Sequence, residues 1–274
     1  MNKLPNDFCI IIGGQKCGTS TLYQHLADHS KICPCYKKEP HIFAKSKYLL
    51  NVDKYKRMWA KNWKPKRHKI AIEASTSYTN YPIRTDVNTQ KVAKRIYEFK
   101  KYSKANVKLI FIIRDPFERI ESFVLKEYIH GKHYGRKKLS KLNNNVDDKY
   151  LQFTNYFKII NNYRKYFDKN DFLIINFEDL ILRRKKVLKK CFNFLNLDFE
   201  YGGKSYHYQN SSTRIKKIFK KNKQIRGMTV NDIMSWELSH KQRLRIYQSL
   251  RSDMRKMSMT YGVNIMNWDF YKYY

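Results

Sequence analysis

A glycine-bearing turn near the amino terminus has the composition of an anion-binding loop. It follows the apolar run of residues 8–12 and leads directly into residues 19–28, which have helical periodicity. Backbone N–H groups at the start of a helix, together with the positive end of its dipole, bind phosphate groups. The turn supplies glycines for close backbone approach, one lysine and three hydroxyl groups, at Gly13, Gly14, Lys16, Gly18, Thr19, Ser20 and Thr21. The sequence therefore predicts a phosphate site here.

The position of Lys16 separates this turn from the phosphate loop of kinases and NTPases. Their loop reads Gly-x-x-x-x-Gly-Lys-Ser/Thr, with the lysine directly after the second glycine. Gly13 and Gly18 have that spacing, but Thr19 follows Gly18 and the lysine lies inside the turn. A lysine there can still reach a phosphate, whereas the magnesium-binding arrangement is compromised. A metal-dependent nucleotide kinase or NTPase stays an alternative that the loop disfavours.

A second candidate anion site follows another apolar run, residues 107–113. Arg114 comes directly after this run, at the strand end where open α/β sheets bind ligands. Pro116 is a favourable first residue for a helix, and Ser122 lies about two turns along it. The Arg114 guanidinium and the Ser122 hydroxyl can therefore converge on one anion. Taken alone, Arg114 and Asp115 are more typical of a structural ion pair or a helix cap.

A candidate general base lies between these two segments. Residues 37–43 read Lys-Lys-Glu-Pro-His-Ile-Phe. A group transfer to a hydroxyl needs a base that removes the acceptor proton during the attack. Glu39, a carboxylate among cations with His41 two residues away, can do this. Taken alone, such a segment is more typical of an exposed turn.

The phosphate turn and the Arg114 segment together resemble the PAPS-dependent sulfotransferases, where PAPS is 3′-phosphoadenosine 5′-phosphosulfate. The family's 3′-phosphate motif has Arg-Asp-Pro and a serine eight residues after the arginine, which matches Arg114 and Ser122. The resemblance implies that Arg114 and Ser122 bind the 3′-phosphate, that Lys16 stabilises the leaving phosphate, and that no metal is needed. It also implies a 5′-phosphosulfate loop formed by Gly14, Gln15, Lys16, Cys17, Gly18, Thr19, Ser20 and Thr21.

The acceptor side is similar to one branch of that family. Residues 38–43 resemble the Lys-Glu-Pro-His-Phe-Phe element of heparan sulfate O-sulfotransferases and their bacterial relatives. The resemblance implies that Glu39 is the catalytic base, that His41 assists it, and that the acceptor is a carbohydrate. The family's Glu-Lys-Ser/Thr-Pro-x-Tyr strand end has a counterpart in which Ala74 replaces the lysine and Thr76 replaces the proline. The missing lysine weakens the case for a heparan-type acceptor.

Three further segments receive weaker assignments. Glu73 is either a second acid near the site or a buried carboxylate tied to backbone donors. Residues 176–180 resemble the family's Tyr-Glu-Asp-Leu strand end, in which Asp179 is expected to cap a helix. Residues 208–217 fall where relatives carry a basic loop over the adenosine and the 3′-phosphate. This resemblance implies nucleotide contacts from Arg214, Lys216 and Lys217.

The chain is strongly basic, with 57 Lys and Arg against 23 Asp and Glu and a formal net charge of +34. Such a field attracts polyanions and speeds their association at low salt. It suits an anionic glycan as acceptor and does not require nucleic acid. An AT-rich genome explains the abundance of lysine but not the shortage of acids. A non-catalytic polyanion-binding protein on the same fold is the second alternative.

The cysteine pattern and the hydropathy favour a cytoplasmic protein. Five cysteines are an odd number without the spacing of a disulfide framework, so reduced thiols are expected. No apolar run approaches the ~18 residues of a membrane span, and the first residues lack the features of a signal peptide. The oligomeric state is left open by the sequence.

The elements that position these residues alternate between strands and helices. Apolar runs predict buried strands at residues 8–12, 70–72, 107–113 and 172–177. Helical periodicity is found at residues 19–28, 90–102, 117–128, 151–167, 180–195 and 239–257. This alternation predicts a single α/β domain over residues 1–274, with a P-loop-type parallel sheet and helices on both faces. Two polar segments are expected to be an exposed insertion and a loop near the nucleotide, at residues 131–149 and 201–228.

Overall fold

A computed structural model describes residues 4–45, 47–79, 88–129, 148–202, 229, 231, 233 and 235–273. The strands are β1 (Asp7–Gly13), β2 (Ile32–Pro34), β3 (Ile70–Ala74), β4 (Asn106–Ile113) and β5 (Phe172–Asn176). The helices before residue 130 are α1 (Thr19–Ala27), α2 (Val52–Lys56), α3 (Thr89–Ser103) and α4 (Pro116–Ile129). After it come α5 (Asp148–Thr154), α6 (Tyr156–Arg164), α7 (Phe177–Leu182), α8 (Arg184–Phe194) and α9 (His240–Tyr261).

The strands form one parallel sheet in the order β2-β3-β1-β4-β5. A parallel sheet is covered on both faces, which explains why its strands are continuous apolar runs. Every residue of β1 after Asp7 is buried, and so is every residue of β3. The predicted fold class, an α/β fold with a parallel sheet flanked by helices, is confirmed.

The two faces of the sheet have different partners. Cys9 belongs to an apolar cluster that also contains Leu22 of α1 and Leu188 of α8. Alternate residues of a strand point to opposite faces, so Phe8 lies on the other face. There it contacts Phe99 of α3 edge to face, with the ring centroids 5.2 Å apart. Helices therefore cover both faces, as the alternation of elements predicts.

The backbone after β2 follows the carboxyl edge of the sheet. The N–H of Cys35 donates to the carbonyl of Ile72 at 2.9 Å, and the N–H of Ala74 donates to the carbonyl of Lys38 at 3.0 Å. Because β3 and β1 are parallel neighbours, their carboxyl ends meet at the same edge. Residues 35–39 thus lie beside the end of β3, one strand away from the turn that follows β1.

Contacts divide the chain into two compact units. The first comprises Met1–Ile113 and Phe157–Tyr206 and contains the whole sheet. The second comprises Arg114–Tyr156 and His207–Tyr274, and in it Phe117 of α4 packs on Phe270 with the ring centroids 5.3 Å apart. No helix in the described part of the chain is long and apolar enough to cross a membrane. The assignment of residues 1–274 to one domain stays a prediction.

The predicted strands are confirmed to within two residues. Two of the predicted helices are each divided in two, and the helix predicted at residues 239–257 continues to Tyr261. The predicted helix at residues 151–167 is divided into α5 and α6 at Asn155. The predicted helix at residues 180–195 is divided into α7 and α8 at Arg183, whose backbone is not helical (φ −129°, ψ 38°). Hydrophobic periodicity reports the buried face of a helix and does not detect a one-residue break when that face continues beyond it.

The predicted helix cap at Asp179 is wrong. The side chain of Asn176 caps α7 by accepting a hydrogen bond from the N–H of Glu178 at 3.2 Å, and Asp179 lies inside the helix. Both residue types are favourable caps. The cap lies further upstream because β5 ends at Asn176, one residue before the predicted end.

Two short elements escaped prediction. Strand β2 has three residues and includes Pro34, which is tolerated because β2 is an edge strand. Helix α2 has five residues, too few to show helical periodicity. The predicted insertion is wrong at its end, because residues 148 and 149 begin α5, and its residues 131–147 lie outside the described residues. The five cysteines are buried, and none of them forms a disulfide.

Candidate active site

The turn between β1 and α1 requires glycine at two positions. The N–H of Gly14 donates to the carbonyl of Ile112 on β4 at 2.7 Å, which fixes the start of the turn. Gly18 has a left-handed backbone (φ 84°), and a Cβ atom there would lie 2.5 Å from the ring of Phe177. Gly13 has φ 149°, and a Cβ atom there would overlap the side chain of Thr79. Close packing therefore leaves no room for a side chain at Gly13 or Gly18.

The start of α1 has the features of an anion site. Its first turn contains no acidic residue and no side-chain cap, so its backbone N–H groups favour an anion. Ser20 is exposed, whereas Cys17, Thr19 and Thr21 are buried. Lys16 has a left-handed backbone (φ 67°), which is uncommon for a residue other than glycine. Of the predicted hydroxyl groups, that of Ser20 is therefore the accessible one.

Three side chains hold the carboxylate of Glu39. The Nζ atom of Lys38 lies 3.0 Å from Oε1, and the hydroxyl of Thr76 donates to Oε2 at 3.0 Å. Nε2 of His41 lies 3.5 Å from Oε2. The same Nζ atom of Lys38 donates to the hydroxyl of Ser20 at 2.7 Å. The predicted base and the predicted phosphate turn are thus brought together in the first unit.

Three consecutive hydroxyl side chains after β3, here called the hydroxyl row, position this segment. They are Ser75, Thr76 and Ser77. Ser75 Oγ accepts a hydrogen bond from the backbone N–H of His41 at 3.1 Å. Ser77 Oγ lies 2.8 Å from Nδ1 of the His41 ring. His41 has a left-handed backbone (φ 55°), a conformation that persists only where the surroundings enforce it. The hydroxyl row supplies that enforcement.

The contacts of His41 fit one tautomer of its neutral ring. A carboxylate can only accept, so the ring proton that fits lies on Nε2, facing Glu39. Ser77 then donates to Nδ1. Burial lowers the pKa of His41, as do the charges of Lys37, Lys38 and Lys45, while the charge of Glu39 opposes them. The neutral ring is therefore favoured at neutral pH.

The pKa of Glu39 is lowered from its ordinary value near 4.5. Burial of the side chain acts to raise it, but the charge of Lys38 and the hydrogen bonds from Lys38 and Thr76 outweigh this effect. Glu39 is consequently ionised at neutral pH. Its side chain is 32% exposed, so a substrate hydroxyl can reach it. The carboxylate is therefore in the form that can accept a proton, which a general base must be.

Glu73 is a fully buried carboxylate held by side-chain hydroxyls. Tyr55 and Tyr78 each donate to Oε1 at 2.9 Å, and Ser75 donates to Oε2 at 2.5 Å. Burial raises the pKa of Glu73 to about 7, although these three hydrogen bonds act to lower it. Its donors are therefore side chains, not the backbone donors expected from the sequence. Ser75 connects this carboxylate to the backbone of His41.

The predicted 3′-phosphate residues lie in the second unit. Arg114 forms an ion pair with Glu118, its NH2 atom 2.6 Å from Oε2. Asp115 caps α4 by accepting from the N–H groups of Phe117 (2.7 Å) and Glu118 (3.3 Å). Ser122 lies on α4 and is 8% exposed. The ion pair and the cap that Arg-Asp alone suggests are both present.

Sequence reasoning missed two parts of this site. Lys38 was noted only as a neighbouring cation, although it contacts both Ser20 and Glu39. Within the hydroxyl row, only Thr76 was noted, as a departure from the family's strand-end motif. The feature that could have revealed the row is three consecutive hydroxyl residues after a buried strand. The remaining nucleotide candidates, Arg214, Lys216 and Lys217, lie outside the described residues. Within those residues, no cluster of His, Cys, Asp and Glu could hold a metal ion.

The comparisons with known proteins agree on the family. The sequence profile of the sulfotransferase domain matches residues 6–260. A crystal structure of a sulfotransferase from Alicyclobacillus acidocaldarius aligns over 97% of this chain and 99% of that chain, with 19% identity and a TM-score of 0.61. The chain belongs to the sulfotransferase family and is an enzyme of the PAPS-dependent class. No curated protein sequence matches it significantly.

Two further solved structures are more distant. The sulfotransferase domain of the Synechococcus PCC 7002 olefin synthase aligns over 92% of this chain and 95% of that chain, with 15% identity and a TM-score of 0.48. The mouse sulfotransferase SULT7A1 complexed with PAP aligns over 71% of this chain and 59% of that chain, with 16% identity and a TM-score of 0.42.

Proposed function

We propose that this enzyme transfers the sulfuryl group of PAPS to a hydroxyl or amine of a carbohydrate, with Glu39 as the general base. The observation that carries the proposal is the position of the Glu39 carboxylate. It is ionised and partly exposed, and Lys38 connects it to the hydroxyl of Ser20 in the phosphate turn. A base is thereby held next to the segment that binds the sulfuryl donor in this proposal.

Glu39 and Lys16 have complementary roles in the transfer. Glu39 takes the proton of the acceptor hydroxyl as its oxygen attacks sulfur, so that an oxygen–sulfur bond forms. The bond between sulfur and the 5′-phosphate oxygen breaks, and its electron pair stays on that oxygen. Lys16 stabilises the charge that develops there. The products are the sulfated acceptor and adenosine 3′,5′-bisphosphate.

The resemblance assigns a separate set of residues to each charged end of the nucleotide. The backbone of residues 14–21, Lys16 and the Ser20 hydroxyl bind the 5′-phosphosulfate. Arg114 and Ser122 bind the 3′-phosphate, for which Arg114 exchanges its contact with Glu118. Arg214, Lys216 and Lys217 are proposed to contact the nucleotide on the basis of the resemblance alone.

The charge around His41 supports an anionic glycan as acceptor. Lys37, Lys38 and Lys45 all lie close enough to His41 to lower its pKa. Such a cationic entrance favours acceptors that carry carboxylate or sulfate groups. Labelled PAPS incubated with anionic glycans, neutral glycans, lipids and phenols tests this. We expect labelled product with the anionic glycans. Label on phenols or lipids alone would contradict the proposed acceptor class. No label on any of the acceptors would contradict the proposed function.

A further inference from the structure

Lys38 occupies a position that none of the assigned roles explains. Its Nζ atom donates to Ser20 Oγ at 2.7 Å and to Glu39 Oε1 at 3.0 Å. Its side chain is 28% exposed, and its backbone carbonyl accepts a hydrogen bond from Ala74 at the end of β3. Both ends of this residue are therefore fixed, one to the sheet and the other between the phosphate turn and the base.

We propose that Lys38 is a positioning residue that holds the Glu39 carboxylate at a fixed distance from Ser20 and the phosphate turn. The inference rests on the proposed function, in which Glu39 takes the acceptor proton and the turn binds the phosphosulfate. In-line transfer requires the acceptor oxygen and the sulfur to be near each other before the reaction. A single ammonium group that contacts both sides of the site sets this separation.

The neighbouring lysine makes the role specific. Lys37 has the same charge and precedes Lys38 directly, but its side chain is exposed and makes no ion pair within the described ranges. Since both lysines contribute equally to the net charge, a general field effect would involve them equally. A contact with Ser20 and Glu39 involves Lys38 alone.

Loss of Lys38 has a predictable effect on the titration of Glu39. The titratable groups that face Glu39 are Lys38 and His41 of its own segment and Glu73 of β3. Lys38 lowers the pKa of Glu39 through its charge and its hydrogen bond, whereas Glu39 and Glu73 repel each other. Removal of the Lys38 ammonium therefore raises the pKa of Glu39. As the pH is lowered, the transfer rate of the variant therefore begins to fall at a higher pH than that of the wild type.

The experiment compares Lys38→Met, Lys38→Arg and Lys37→Met with the wild type. Release of adenosine 3′,5′-bisphosphate from PAPS is measured between pH 4 and 8. The acceptor is the glycan, lipid or phenol on which the wild type has the highest rate. We expect Lys38→Met to lower kcat by about 10- to 100-fold, the loss typical of a hydrogen bond to a charged group. Its acidic limb should move to higher pH. Lys38→Arg should recover part of both effects. Lys37→Met removes one charge of the cationic entrance, so it should raise the KM for the acceptor but leave kcat and the acidic limb unchanged.

Each outcome decides a different point. Calorimetric binding of adenosine 3′,5′-bisphosphate verifies that each variant is folded. A folded Lys38→Met enzyme with unchanged kcat and pH profile would overturn the inference, while the proposed function stands as long as Glu39→Gln is inactive. Equal losses in Lys38→Met and Lys37→Met would assign the effect to general charge and also overturn it. If Lys38→Met does not fold, Lys38→Gln takes its place, since it also removes the charge. A folded Lys38→Gln enzyme with unchanged kcat and pH profile would overturn the inference. A wild type without turnover on any acceptor would overturn the proposed function, and the role of Lys38 with it.

Discussion

The hydroxyl of Thr76 donates a hydrogen bond to Oε2 of Glu39, 3.0 Å away, across 37 positions of sequence. Thr76 follows β3 closely and is 8% exposed, so its hydroxyl is held in place by the sheet. The contact ties the proposed base to a residue that lies two positions after the end of a fully buried strand. Proline, which the resembling sequences have at this position, offers no hydrogen-bond donor.

Replacement of Thr76 by valine tests this contact, because it removes the hydroxyl and nearly keeps the shape. We expect kcat to fall by about 10-fold, since a hydrogen bond to a carboxylate is lost. The pKa of Glu39 should rise, because Thr76 is one of the groups that lower it. The acidic limb of the rate profile should therefore move to higher pH. Thr76→Ser is the control that keeps the hydroxyl; equal profiles for the valine and serine variants would refute the role of the contact.

The nucleotide assignment predicts a selective effect on stability. A ligand that binds only the folded state raises the melting temperature. Adenosine 3′,5′-bisphosphate should raise it more than ATP does, because ATP has no 3′-phosphate. Arg114→Ala should remove most of this difference, as a contact between charged groups contributes ~1.5–3 kcal/mol.

Arg245 provides the matched control for that measurement. It is another arginine of the second unit with an acidic partner, 2.8 Å from Asp148, and it has no assigned role in binding. Arg245→Ala should keep the preference for adenosine 3′,5′-bisphosphate. A melting temperature that responds equally to both nucleotides in the wild type would count against the assignment of Arg114.

The buried carboxylate of Glu73 predicts a pH dependence of stability. Burial raises its pKa from about 4.5 to about 7, so the folded state binds more protons than the unfolded state between these values. Stability should then fall as the pH rises from about 4.5 to about 7, by up to about 3 kcal/mol. Glu73→Gln should lose this part of the dependence when melting temperatures at pH 5 and pH 8 are compared. Glu237→Gln, a change at an exposed acid, should retain it; retention in Glu73→Gln as well would show that another group titrates.

The sequence predicted the sheet and the turn from β1 into α1 because both follow from local patterns. Buried parallel strands are continuous apolar runs, and a strand that leads through glycines into a helix can be recognised without knowledge of distant residues. Lys38 and the hydroxyl row could not be assigned in this way. Their roles depend on the backbone pairing of residues 35–38 with β3, which joins positions almost 40 residues apart. The breaks at Asn155 and Arg183 were missed because the apolar faces continue across them.

The most direct test of the account is the rate of sulfuryl transfer by Glu39→Gln, with binding of adenosine 3′,5′-bisphosphate measured in parallel. Glutamine keeps the size of the side chain but cannot take up the acceptor proton. We predict a fall in kcat of ~10²–10⁴-fold, the usual cost of removing a general base, with nucleotide binding unchanged. A variant that transfers at nearly the wild-type rate would contradict the central claim that Glu39 is the base.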